Sequence, residues 1–78
     1  MPIKAYVLVV TNPGATKRVF AALKDIPGVT GCHEVMGPYD IVVELEVTSL
    51  TDVPPILSDR IRTVAGIEST TSLVTFPE

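Results

Sequence analysis

The residues best suited to chemistry fall in one short stretch, Gly37-Pro38-Tyr39-Asp40. Glycine and proline signal a turn, and a tight turn exposes backbone N–H groups. With a carboxylate beside them, such N–H groups could hold a small polar ligand. Asp40 could take the ammonium of that ligand or act as a base in a closed pocket. Its structural alternative is to accept N–H bonds from its own turn. Glu44 and Glu46 follow with the same parity as Asp40. Two carboxylates can share acid–base work, but on a strand they are expected to face solvent or line an interface. Cys32 and His33 stand side by side, with Glu34 and Asp40 nearest in sequence, in no recognised nucleophile or metal spacing. A small buried cysteine beside an edge histidine is the expectation. Thr70, Thr71 and Ser72 add hydroxyls, in a composition that is ordinary for a strand.

Several classes of chemistry are excluded by what the chain lacks. Asn12-Pro13-Gly14 fits neither the Walker nor the dinucleotide glycine pattern. One cysteine permits no internal disulfide and no C-x-x-C, and one histidine with it cannot build a four-ligand zinc site without many carboxylates. No cofactor or metal is expected. Four aromatic residues, Tyr6, Phe20, Tyr39 and Phe76, give no stacking platform for single-stranded RNA. No arginine sits in a glycine-rich loop after the first strand, as an acylphosphatase-like site would need. A net charge of −3 and a pI near 4.9 argue against direct nucleic-acid binding, because phosphate neutralisation requires a basic stripe. The apolar run Ala5–Val10 is too short for a signal-peptide core or a membrane span. A cytoplasmic location is expected, and a lone cysteine agrees with it.

The elements that must position these residues follow from periodicity. Ala5 to Thr11 is apolar on both parities, as in a strand at the middle of a sheet covered on both sides. Ala15, Val19, Ala22, Leu23 and Ile26 mark one helical face, predicting a helix from Ala15 to Ile26 that Asn12 or Thr16 could cap and Pro27-Gly28 ends. Val29 to Met36 reads as an edge strand interrupted by His33 and Glu34. Tyr39 to Thr48 is a strand in which Ile41, Val43, Leu45 and Val47 alternate with polar residues, Val42 being the exception. Ser49 to Asp52 offers N-caps for a helix carrying Val53, Ile56, Leu57, Arg60, Ile61 and Val64, with Pro54-Pro55 in its first turn. Ile67 to Phe76 is the last strand, again suited to an edge.

The order is β-α-β-β-α-β, and the junctions Ile26-Pro27-Gly28-Val29 and Val64-Ala65-Gly66-Ile67 echo each other. The predicted fold is therefore α+β, a ferredoxin-like four-stranded antiparallel sheet with both helices on one face. A single domain of 78 residues supplies a core worth only about 3–5 kcal/mol. With no disulfide or metal to add, and a first strand apolar on both sides, a homodimer meeting sheet to sheet is expected.

The chain resembles the effector-binding module of the Lrp/AsnC, or feast/famine, transcription regulators. The resemblance rests on Ala5-Tyr6-Val7-Leu8-Val9, on Ile26-Pro27-Gly28-Val29 with Cys32 and Val35, on Gly37-Pro38-Tyr39-Asp40-Ile41-Val42-Val43, and on Gly66-Ile67 with Thr70, Ser72 and Leu73-Val74. It implies a dimeric α/β-barrel type of assembly, with pairs forming rings and an amino acid or similar effector bound between pairs. It places that effector against Gly37, Tyr39 and Asp40, with Thr70 and Ser72 completing the site. Ser72 stands where threonine is usual, and Val64-Ala65-Gly66 replaces a second proline-glycine junction. The chain starts at the first strand with no helix-turn-helix before it, so a stand-alone module is expected, acting on transcription through full-length regulators.

Three readings follow. The first is a non-enzymatic sensor that binds an amino acid at subunit contacts. The second is a small dimeric α+β-barrel enzyme, monooxygenase- or isomerase-like, using His33, Asp40 and Glu44. The third is a pure assembly module without a ligand.

Overall fold

In this computed structural model, which describes residues 2–76, the chain runs through β1 (Ile3–Thr11), α1 (Thr16–Leu23), β2 (Val29–Glu34), β3 (Ile41–Val47), a composite helical segment and β4 (Ile67–Val74). The strands form one antiparallel sheet in the order β2-β3-β1-β4. The predicted β-α-β-β-α-β order and its α+β fold are both present. β1 occupies an inner position, paired with β3 through Ile3–Val9 and with β4 through Ala5–Thr11, while β2 and β4 are the edges.

Strand alternation divides the sheet into two unlike faces. Ala5, Val7 and Val9 of β1 and Ile41, Val43 and Leu45 of β3 are completely buried, against Val19 and Leu23 of α1 and Val53 and Ile61 of the second helical segment. The opposite face carries Tyr6, Leu8, Val10 and Val42, all only half-buried, and Leu73, which is 53% exposed. Val42, the residue out of step in its strand's alternation, stands across from Leu8 on this open face.

The helices differ from their predicted bounds for local reasons. Neither Asn12 nor Thr16 caps α1 with its side chain; Ala15 holds the N-cap position. The Asn12 carbonyl instead accepts the Ala15 N–H at 3.0 Å, and the Thr16 hydroxyl lies 2.6 Å from that of Thr11. The second segment starts as expected, with Ser49 and Asp52 forming a reciprocal capping box. It then winds as a 3₁₀ turn (Leu50–Asp52), one α turn (Val53–Pro55) and a π stretch (Ile56–Ile61), not as one regular helix. Two prolines supply no N–H to an α ladder. Beyond them, the Ser58 and Thr63 hydroxyls bond back to the Pro54 and Asp59 carbonyls, competing with the backbone donors, and Arg62 N–H reaches Leu57 O at 2.8 Å. Arg60, a member of the predicted stripe, is exposed.

Gly66 sits where the second segment returns to β4. Its φ is 104°, and a Cβ there would stand 3.0 Å from Ala15 Cβ and from Val19 Cγ2 and 2.8 Å from an Arg18 nitrogen. Arg18 is itself held, donating from Nη1 to Ala65 O at 2.7 Å. Gly66→Ala therefore combines left-handed strain with overpacking and should destabilise the fold by about 2–4 kcal/mol. Gly14→Ala, at φ 83° but in open space, should cost only about 1–2 kcal/mol. Urea unfolding of the two variants side by side checks the difference.

Candidate functional site

Asp40 stands at the head of β3 and is fixed from three directions. Its N–H donates to Val9 O at 2.8 Å, and its carbonyl accepts from Val35 N–H at 2.9 Å, which closes the loop between β2 and β3. Its Oδ2 accepts from Thr11 N–H at 2.8 Å and from Thr11 Oγ1 at 3.2 Å. The sequence suggested that this carboxylate serves its own turn. It serves instead the end of β1, 29 residues away in sequence. Thr11 was not singled out by sequence reasoning. The available signal was a polar residue on the parity of Ala5, Val7 and Val9, a position that buries it and so demands a partner.

Within the loop Val35–Asp40, Gly37 has φ 156° with open space where a Cβ would be, Met36 is fully exposed, and Tyr39 is half-buried. Among the described residues, the N–H groups of Met36, Gly37 and Tyr39 meet no acceptor, and Asp40 Oδ1 meets no donor. The loop thus offers free N–H donors and a free carboxylate oxygen within a few residues of each other. Such an arrangement is suited to a zwitterion, whose carboxylate takes the donors and whose ammonium takes the oxygen.

Gly37, Tyr39 and Asp40 share this one loop, whereas Thr70 and Ser72 stand apart from it. Thr70 lies across from Val9 and Ser72 across from Val7, both on the edge strand β4. β1 runs between β4 and β3, so the two groups of residues are separated by about two strand spacings, roughly 9–10 Å. Thr70 is half-buried and Ser72 exposed, both with the parity of the helix-covered face.

The remaining candidates are divided between the two faces of the sheet, Cys32 on the helix side and His33 and Glu44 on the open side. Cys32 and His33 alternate to opposite sides of β2, so they cannot act as a pair. Cys32 lines a shallow groove with Phe20, Lys24 and Val29. Burial, and then the Glu34 charge, push its thiol pKa up, with Lys24 partly offsetting them. Glu44 holds Lys4 on the open face, Oε1 to Nζ at 3.2 Å, and this hydrogen bond and charge raise the lysine's pKa. No group of three or more potential metal ligands is assembled among the described residues. None of the described helices is long and apolar enough to cross a membrane.

Two outcomes are expected. Asp40→Ala should lower stability by about 1–3 kcal/mol by leaving Thr11 N–H without its acceptor, while Thr11→Val, which keeps that backbone donor, should cost less; denaturant midpoints decide. The raised thiol pKa of Cys32 means less thiolate at mildly alkaline pH than in a free cysteine, so iodoacetamide should alkylate it more slowly than a small-molecule thiol. The gap should narrow as pH rises, and mass spectrometry of timed aliquots follows it.

The profile of the Lrp/AsnC ligand binding domain matches residues 4–78. The HTH-type transcriptional regulator LysM of Saccharolobus solfataricus is 33% identical over 73 residues, covering 92% of this chain and 51% of the relative. An uncharacterised HTH-type transcriptional regulator of Pyrococcus furiosus is 32% identical over 75 residues, covering 92% and 50%. The chain thus spans about half the length of the curated relatives it matches. Among solved structures, a protein of Thermus thermophilus superposes with a TM-score of 0.92 at 25% identity, covering 97% of this chain and 95% of that one. Escherichia coli AsnC superposes with a TM-score of 0.89 at 19% identity, covering 97% and 52%. On the strength of a profile match over nearly its whole length, this chain belongs to the Lrp/AsnC ligand-binding domain family.

Proposed function

We propose that the domain is a non-enzymatic sensor that captures an amino acid or a related zwitterion at the loop Val35–Asp40, and that its working form is a homo-oligomer built on sheet-to-sheet pairs. The observation that carries this reading is the juxtaposition of free N–H groups at Met36, Gly37 and Tyr39 with the free Oδ1 of Asp40. A related fold supports the ligand class: a transcriptional regulator of Neisseria meningitidis, with a TM-score of 0.84 and 18% identity, was solved in complex with L-Met. In one subunit the loop lies open and Thr70 and Ser72 are out of its reach, so a neighbouring copy would complete the enclosure. Through hetero-assembly, the same module would modulate full-length regulators of its family without touching DNA itself.

The placement of its residues supports the sensor reading over the enzyme reading. His33 and Glu44 belong to the open face, while Asp40 is tied to Thr11 at the end of the sheet. Neither the Phe20–Cys32 groove nor the one between Gly28, Glu46 and Arg60 holds any of the three.

A thermal-shift screen over the common amino acids tests the proposal. A ligand at a hundred times its dissociation constant adds about 2.7 kcal/mol, which for a domain of this size moves the midpoint by roughly 10 °C or more. Asp40→Asn leaves an oxygen for Thr11 but removes the charge, and should abolish the shift while keeping the fold. No shift with any amino acid, or an undiminished one in Asp40→Asn, would sink the assignment.

A further inference from the structure

We propose that the open sheet face carries a pH-sensitive charge balance, in which protonation of His33 tightens the pairing of two copies. The inference rests on the sheet-to-sheet reading given above.

The face is apolar along its middle, through Tyr6, Leu8, Val10 and Val42, and charged toward one corner. There β1 presents Lys4, β3 presents Glu44 and Glu46, and β2 presents His33, the only histidine of the chain. From β4 the facing residues are Ser69, Thr71 and Leu73, none of them charged, and from β1 the phenol of Tyr6 shares the face. The neighbours of His33 along β2 point away: Cys32 faces the helices, and Glu34 lies 3.5 Å from Lys17 of α1. Glu68 stands at the bulge on the far edge strand. With His33 neutral, this corner holds one ammonium against two carboxylates, and a protonated His33 brings it to balance.

The local geometry lets that proton count. Gly31 lies between His33 and Glu44 and has no side chain to separate them. A Cβ at Gly31 would stand 3.2 Å from Glu44 Oε2 and 3.6 Å from His33 Nε2, so both groups overhang the same bare patch. Lys4 engages the other oxygen, Oε1, leaving Oε2 on the histidine side. In a monomer water screens this corner. When a second copy covers it, water is displaced, and the unbalanced carboxylate of the corner is screened less than in the open monomer. Covering the face then favours the form of His33 that cancels the excess, and by linkage protonation favours pairing.

Histidine is the side chain whose ordinary titration falls in the neutral range, so the test is sedimentation equilibrium at fixed ionic strength near pH 6 and near pH 8. The dissociation constant of the pair should be about fivefold or more lower at the acidic value, the low end of ordinary coupling between two binding events. His33→Gln, on an exposed edge position that tolerates change, should flatten the dependence. Equal constants at the two pH values, or a dependence that survives His33→Gln, overturns the role of His33 while leaving the pairing intact. A chain that stays single at both values removes the pairing itself.

Discussion

An antiparallel sheet of four strands has two faces, and two short helical segments can cover one of them. In this chain the covered face is saturated: every helix-side residue from Ala5 to Val9 and from Ile41 to Leu45 is fully buried. The other face is left with Tyr6, Leu8, Val10, Val42 and Leu73 against water. A strand can alternate apolar and polar residues when one side is to be wet, and β3 largely does. β1 does not, and the helices of this chain cover only one of its sides. At about 25 cal/mol for each Å² of apolar surface removed from water, covering that face would add stability to a small domain.

The size of the face limits how that gain is realised. Four strands about 4.8 Å apart and seven residues long span roughly 450 Å², so a pair meeting by these faces alone would bury on the order of 900 Å², slightly under the roughly 1,000 Å² of a secure interface. Additional contact would have to come from apolar residues at the rim. Of the exposed apolar residues at the end of β4, Val74 pairs with Ala5 and so has the parity of the helix-covered side, and Phe76, 93% exposed, lies beyond Thr75, which is bonded to Lys4 O through both its N–H and its hydroxyl. The end of the last strand is thus anchored to the sheet while its large side chains remain uncovered.

How much of this was legible in the sequence depended on the range of the interaction. Apolar runs between turn signals gave four strands in their correct order along the chain, with period-two alternation plain in β3 and the duality of β1 visible as apolar residues on both parities. The helices were legible as faces but not as windings. Val53 and Ile61 of the predicted stripe are buried and Ile56, Leu57 and Val64 half-buried, yet hydroxyl back-bonds and paired prolines divide the segment into three helical types. Thr16 reads as a cap from its position alone, and only contact with Thr11 gives it another partner. Asp40 carries the same lesson. Its place at a turn was plain, but its partner lies on a strand far away in sequence, and only the β1–β3 register brings the two together.

That register also bears on what a ligand would meet. Because Asp40 is held through its N–H, its carbonyl and Oδ2, its remaining oxygen is oriented before anything arrives, and binding need not order it. The loop stands at the end of the sheet and the apolar face runs along its breadth, so the two surfaces do not compete. An effector at the loop would leave sheet-to-sheet pairing untouched and act on whatever second contact the pairs make with one another. β1 is the physical link between the two levels, since its open face would meet the partner copy while its last residue holds the carboxylate.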